Sequence, residues 1–423
     1  MSPLGVVVLI VLIDLLGFTI VMPLLAPFAE QYGFREWQIG ILFAAYPLCQ
    51  LIAAPILGRL SDRYGRRPLL IVSQAGTALS FLILGLSRHF GVMLLARMLD
   101  GASGGNILVA QAYVADVTPP ENRAKGMGLI GMAFGLGFVF GPLLGGLLVG
   151  LPIAPEWRLR LPFLVAAGFS TLAWVLVLTR LPESLPPGAS PREAVRVLSR
   201  RGLADIIALP GIGPLILMGA LSVLSFACLE GTFALFLRRR LGWDASAAAY
   251  AFAGLGLLSA AVQGGLIRRL VPRYGEPRLI ALGLVIVTLG FAGLALASSG
   301  LALSGALLFV GLGQGLVTPS ISGLLSRITP MSEQGAVFGT YSSAQTLARM
   351  ISYALANVLL GRFSAAAPYW FGCGVYVLTA LAAAVILPGL QLRVQHSDPV
   401  GRMPASASDM QNTAHPDARS RSR

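Results

Sequence analysis

Five ionisable residues lie inside long apolar runs, and these are the groups that could do chemistry. Asp14 sits in Leu12-Ile13-Asp14-Leu15-Leu16, Arg97 and Asp100 in Leu94–Gly101, Glu230 after Phe226-Ala227-Cys228-Leu229, and Arg349 within Ser342–Asn357. A carboxylate taken out of water is relieved of its charge by a proton, so Asp14 is a candidate to load and release one. The alternative for Asp14 is a permanently neutral acid holding a structural hydrogen bond. Arg97 and Asp100 are spaced i,i+3, which puts them on one helix face and lets them pair. They are candidates for the same proton chemistry or for a structural ion pair. Glu230 is a second proton candidate or a residue of the outer mouth. Arg349 needs an anion, which Asp14, Glu230 or an acidic group on a substrate could supply. The polar residues Gln50, Gln111 and Gln314 and the aromatic residues Phe18, Tyr46 and Phe226 could line a cavity or pack between helices.

The elements that must hold these groups follow from composition. Of 423 residues, 56% are hydrophobic and only 12% charged. A soluble domain carries about twice that charge, so the chain lacks the surface a water-soluble protein needs. A helix crosses a bilayer with about 20 apolar residues, and only helices or closed barrels satisfy their backbone in lipid. Twelve spans are expected, near 4–29, 38–58, 69–87, 90–114, 125–150, 161–180, 211–237, 245–267, 279–297, 301–326, 335–361 and 368–388. The fold class is therefore all-α integral membrane, with the lipid bilayer as a partner. The N-terminal apolar run is too long for a signal-peptide core and reads as a retained first span.

The net charge is +13, from 31 Lys+Arg against 18 Asp+Glu. In a soluble domain this would suggest nucleic acid. Here most basic residues fall in short loops between spans, where they set orientation, so no nucleic-acid partner is expected. The loops after the second, fourth, sixth, eighth and tenth spans are the richer set. Both termini are placed in the cytoplasm on that ground. Arg238-Arg239-Arg240 is an exception on the other side, read as a solvated run, with substrate or lipid contact as the alternative. Cys49, Cys228 and Cys373 lie in apolar runs without metal or disulfide spacing.

Residues 181–210 contain Leu-Pro-Glu-Ser-Leu-Pro-Pro-Gly and a charged stretch around Arg192–Arg201. This linker divides a bundle over 1–180 from a bundle over 211–388, and a polar tail over 389–423 is expected to be disordered. The halves share features in register. Arg63-Tyr64-Gly65 recurs as Arg273-Tyr274-Gly275, and Thr118-Pro119 as Thr329-Pro330, with Gly128 and Gly339 at equal offsets beyond. Two parallel six-helix repeats are a transporter architecture, with a substrate site near the midplane between them.

Two motifs carry a resemblance. The first is the loop from Gly58 to Pro68, which contains Asp62, Arg63, Gly65, Arg66 and Arg67. Its glycines permit a sharp reversal, and its Asp can accept from a helix N-terminus or pair with arginine. The second is the fifth span, Gly128-x8-Gly137-x3-Gly141-Pro142-x2-Gly145-Gly146, a glycine face that lets helices approach, with a proline kink. The loop resembles the signature loop of the major facilitator superfamily, and the glycine run resembles the antiporter motif of its drug/proton antiporters. Nearly the whole chain is similar to the twelve-helix members, most to the tetracycline/proton antiporters, through Gly40–Pro68, Asp14 and Ala112–Asp116.

The resemblance implies a major facilitator fold of two pseudo-symmetric six-helix bundles. It implies that Asp62 and Arg63 lock a cytoplasmic gate with Asp116 as partner of the arginine, and that Arg97 takes part in proton transfer. It implies a proton-coupled exporter in a bacterial inner membrane, driven by the proton gradient without a cofactor, with protons and a small molecule as partners and a monomer as the working unit. Two positions depart from those exporters, which carry Asp where this chain has Ser80 and near Val287. Arg349 is an addition. Tetracycline, another amphipathic drug, a sugar or a siderophore-like metabolite all stay open as substrate, as does uptake by symport. An enzyme is disfavoured: the histidines are His89, His396 and His415, and no phosphate-binding Gly-x4-Gly-Lys run exists.

Overall fold

The computed structural model describes residues 2–119, 122–185, 205–209, 211–331 and 333–397. Among them there are helices and no strands. In chain order the helices are α1 (Pro3–Val21), α2 (Leu25–Glu30), α3 (Glu36–Tyr64), α4 (Arg66–Leu86), α5 (Phe90–Ser103), α6 (Asn106–Val117), α7 (Arg123–Val149), α8 (Pro155–Arg158) and α9 (Leu161–Arg180). The second half holds α10 (Ile212–Leu241), α11 (Ala245–Ala261), a π-turn (Val262–Leu266), α12 (Ile267–Tyr274), α13 (Glu276–Leu296), α14 (Gly300–Ile328), α15 (Gln334–Arg362) and α16 (Ala367–Ser397). Eleven helices or helix pairs are long and apolar enough to cross a membrane. The twelfth, α15, has the length of its neighbours but carries Ser, Thr, Gln, Arg and Asn along its sequence.

Two expected spans are interrupted, one at a proline and one at a pair of glycines. The first breaks after α1 at Met22-Pro23-Leu24, because proline has no N–H to give. The fourth breaks at Gly104-Gly105, between α5 and α6. The last span does not stop at 388: α16 runs on to Ser397, into the segment expected to be an unstructured tail. The rest of that tail, and the linker's charged stretch around Arg192–Arg201, lie outside the described residues.

The repeat seen in the sequence is geometric. Gly65 and Gly275 both have positive φ, 103° and 76°. Each closes one helix and opens the next, a conformation that glycine alone adopts freely. Thr118 and Thr329 both end their helices in extended backbone. The expected loop from Gly58 to Pro68 is not a loop. Helix α3 continues through Gly58, Asp62 and Arg63 to Tyr64, and Gly65 alone makes the reversal into α4.

The halves meet at one end and part at the other. At the end away from Gly65, Ser246 Oγ donates to the Gly146 carbonyl at 2.7 Å. There a Cβ on Gly40 would meet Asn357 Cβ at 2.9 Å, and one on Gly146 would meet the Tyr250 ring at 2.8 Å. Toward the Gly65 end the same helix pair separates. Gly128, Gly131 and Gly135 on α7, and Gly264 and Gly265 on the π-turn, have nothing within 4 Å of a Cβ. The space between the halves therefore opens toward the Gly65 end and is sealed at the far end.

Candidate functional site

The break between α5 and α6 builds the N-terminal part of the site. It turns Asn106 inward, where its Nδ2 donates to Asp14 Oδ2 at 2.6 Å. Asp14 is 7% exposed. No cation pairs with it among the described residues, and its Oδ1 has no hydrogen-bond partner. Gln74 of α4 lies within hydrogen-bonding reach, and its Oε1 is likewise buried without a donor. Asn106 and Gln74 were not singled out in the sequence. The run Ser103-Gly104-Gly105-Asn106, which breaks a span, was the available signal.

Arg97 and Asp100 form the expected i,i+3 pair, at 2.7 Å and almost fully buried. Arg97 also donates to the Leu42 carbonyl at 3.3 Å and lies 4.9 Å over the Tyr46 ring. Tyr46 stacks obliquely on Phe18 at 5.2 Å. Gln50 Nε2 donates to Tyr46 Oη and to the Gly104 carbonyl, tying α3 to the break. Asp14, Arg97, Asp100, Tyr46, Phe18 and Gln50 are thus brought together. Ser80, where the similar exporters carry an acid, lies within hydrogen-bonding reach of Asp100. A carboxylate therefore occupies that region, supplied by the neighbouring helix. Val287 is fully buried in the C-terminal core against Gly313 and supplies no polar group.

In the C-terminal half, Arg349 pairs with Glu230 and not with Asp14. Its Nη1 lies 3.2 Å from Oε1 and 3.1 Å from Oε2 of Glu230. Tyr353 Oη donates to Glu230 Oε2 at 2.9 Å and touches Met22 of the first half. Glu230 is 6% exposed, so it is an interior residue and not part of a mouth. Tyr353 packs on Phe43 across the halves at 5.2 Å. Tyr46 lies within electrostatic reach of Asp14, Asp100, Arg97 and Arg349, which places it between the two charged clusters. Tyr353 was not foreseen; its i+4 spacing from Arg349 was the readable sign.

Two assignments to the cavity, Gln314 and Gln111, are corrected. Gln314 is buried, and its Oε1 accepts from Tyr376 Oη at 3.1 Å and Ser222 Oγ at 3.4 Å, so it braces α10, α14 and α16. Gln111 lines a hollow of about 350 Å³ with Gly58, Asp62, Arg66 and Met127, beside the gate motif and not beside Tyr46. Phe226 is half-buried against the C-terminal core, one helical turn from Glu230.

At the Gly65 end the ion pairs are made by Arg66, not Arg63. Arg66 is 3% exposed. It holds Asp62 at 2.6 Å and Asp116 at 3.1 Å, and donates to Ser61 Oγ at 2.6 Å. Arg63 is exposed and stacks on Tyr64. Arg66 opens α4 just past the reversal at Gly65, which turns it back onto Asp62, while Arg63, the next residue along α3 after Asp62, points elsewhere. Nor does Asp62 cap α4. Glu183, from the segment after α9, accepts from the backbone N–H groups of Arg66 at 2.9 Å and Arg67 at 3.1 Å. Arg67 donates to the Leu178 carbonyl. The second half reverses the polarity, with Glu276 after Gly275 pairing with Arg327 at the end of α14 at 3.1 Å.

The glycine run on α7 packs as expected except at its start. A Cβ on Gly137 would meet Leu15 Cβ at 2.9 Å, one on Gly145 the Ile20 carbonyl at 3.2 Å, and one on Gly141 would collide with Thr19 Oγ1. Thr19 Oγ1 donates to the Gly137 carbonyl at 2.8 Å. Pro142 is buried inside the helix. Gly146 faces α11, and Gly128 faces nothing. Arg238 and Arg239 are not merely solvated. They pair across the halves, Arg238 with Glu30 at 2.8 Å and Arg239 with Glu36.

The model of the Major Facilitator Superfamily matches residues 7–300 and 215–411. The chain belongs to the Major Facilitator Superfamily. It is 30% identical over 371 residues to the class B tetracycline resistance protein of Escherichia coli, covering 87% of this chain and 90% of that one. It is 30% identical to major facilitator superfamily domain-containing protein 10 of Bos taurus, covering 92% of each. The structure of the human organic anion transporter MFSD10 (TETRAN) superposes with a TM-score of 0.68 at 27% identity, over 90% of this chain and 98% of that one. A D-xylose-proton symporter superposes with a TM-score of 0.73 at 18% identity, over 92% and 98%, and shares the fold alone. The protein is a multi-pass membrane transporter of small molecules and not an enzyme.

Proposed function

We propose that this transporter exports an amphipathic small molecule in exchange for protons, with Asp14 as the proton-exchanging group. The observation that carries the reading is the surroundings of Asp14. It is a buried carboxyl in a span whose Oδ1 has no donor, beside a Gln74 Oε1 that also has none. A proton on Oδ1 gives that oxygen a hydrogen to donate and removes an uncompensated charge from the interior. Arg97–Asp100 and Arg349–Glu230 each set a guanidinium against the carboxyl, and Asp14 has no such partner. The α7 glycine packing and the similarity to tetracycline resistance proteins support export over uptake. The substrate reaches the space between the halves from the Gly65 end; the basic loops there support a cytoplasmic orientation, and the similarity to bacterial tetracycline resistance proteins supports a bacterial inner membrane. Proton binding and rocking of the halves about Tyr46 then release it on the far side.

Inverted membrane vesicles test this. With a preformed pH gradient read by a dye, addition of tetracycline or another amphipathic drug should dissipate the gradient in vesicles holding the protein and not in empty ones. A broad panel without any protein-dependent dissipation would contradict proton exchange.

A further inference from the structure

Arg349 is placed to do more than balance Glu230. Glu230 is saturated: both its oxygens face Arg349 Nη1, and Oε2 also accepts from Tyr353. Arg349 is not. Its side chain is 31% exposed; Tyr353 Oη, which donates to Glu230, also lies within hydrogen-bonding reach of the guanidinium, and among the described residues no acid is bonded to its Nε or Nη2. A guanidinium in a span does not leave two nitrogens toward lipid, because the cost of an unpaired polar group there is several kcal/mol. Its electrostatic neighbours are Glu230 and Tyr353 within its own half and Tyr46 of α3 in the other. One turn further toward the sealed end, Tyr353 closes on Phe43. The free edge of Arg349 thus lies at the roof of the open space between the halves.

We propose that this edge is a substrate subsite for an anionic group, such as a carboxylate on an aromatic or otherwise apolar body. The Nε and Nη2 of a guanidinium present two parallel donors that match the two oxygens of a carboxylate. Glu230 need not be displaced, because it uses the other terminal nitrogen. Tyr46 and Phe18 offer an aromatic wall for the apolar body. On the opposite side stands Asp14, an acid with no cation against it, so the ligand that fits best points its anionic end to α15 and a neutral or cationic end to α1. The subsite rests on the transport reading, since it takes the space between the halves as the ligand's path. It does not rest on the proton step.

Equilibrium binding with three matched probes tests it on the full chain in nanodiscs, without any gradient. The probes are 1-naphthoate, 1-naphthamide and 1-naphthylmethylammonium. Wild type should bind the naphthoate about tenfold more tightly than the amide, which is about 1.4 kcal/mol. The double variant Glu230→Gln/Arg349→Gln, which keeps the charge balance, should lose that preference and keep amide binding. Arg349→Lys, which also keeps the pair balanced but lacks the fork, should reduce the preference severalfold. The proposal is overturned if wild type does not prefer the carboxylate, if naphthoate does not bind at millimolar concentration, or if the preference survives in the double variant or is undiminished in Arg349→Lys. Failure of gradient dissipation with intact naphthoate binding would overturn proton exchange and leave the subsite standing.

Discussion

Asp14 and Glu230 are both acids inside spans, yet they are held differently. Asp14 has amides and a second acid, Asp100, near it and no cation paired with it, whereas Glu230 has an arginine and a tyrosine. Removing one member of a buried pair leaves the other uncompensated, at about 3–5 kcal/mol, while replacing both is far milder. Glu230→Gln alone should therefore lower the thermal midpoint in detergent more than Glu230→Gln/Arg349→Gln does. Equal midpoints would mean the pair is not a coupled unit. At the gate, Arg66→Ala should impair transport and stability, because it strips Asp62 and Asp116 of a buried partner. Arg63→Ala should stay within about 0.5 kcal/mol of wild type, as exposed positions do. The sequence made the charged residues legible, since charge in a span is costly and so conspicuous. It did not make their partners legible. Asn106, Tyr353 and Glu183 are ordinary residue types whose roles depend on which helices lie side by side. The choice of Arg66 over Arg63 depends on α3 continuing as a helix through Asp62 and on the reversal at Gly65 that returns Arg66 to it.

Helix α7 carries glycines of two kinds. Gly137, Gly141 and Gly145 let it lie against α1, and Gly128 lies against nothing. Gly141→Val should cost at least ~1–3 kcal/mol through overpacking on Thr19. Gly128→Ala should be neutral or stabilise by up to ~1 kcal/mol through helix propensity. Unfolding midpoints of the two variants check this, and a Gly141→Val protein as stable as wild type would remove the packing claim. The element count and order were readable from apolar run lengths. Breaks were harder to place. Pro23 and the Gly104-Gly105 pair interrupt spans that hydropathy reads as continuous, because hydropathy sums side chains and is blind to backbone hydrogen bonds.

Across the whole molecule, the ion pairs Arg238–Glu30 and Arg239–Glu36 hold the sealed end shut in the conformation described. Exposed pairs contribute about 0.2–1 kcal/mol each. Glu30→Gln/Glu36→Gln should thus shift the population toward opening at that end by a factor of about 2–30, and high salt should mimic it. Labelling of a Ser246→Cys variant, at a buried position in the seal, reports the opening; unchanged labelling would show that the apolar contacts alone make the seal. The two-fold repeat was visible in the sequence as matched Arg-Tyr-Gly and Thr-Pro pairs. The relation between the halves was not, because it is set by contacts such as Gly40 on Asn357 that join residues far apart in the chain.

The most direct measurement compares Asp14→Asn with wild type in two assays on the same vesicles. Asparagine supplies permanently the donor that a proton on Asp14 supplies transiently, so the variant should fold and bind. It should retain substrate exchange without a gradient and lose gradient-driven accumulation by at least about tenfold, within the usual range of coupling energies. Gradient-driven accumulation at the wild-type level in Asp14→Asn would contradict proton exchange at Asp14.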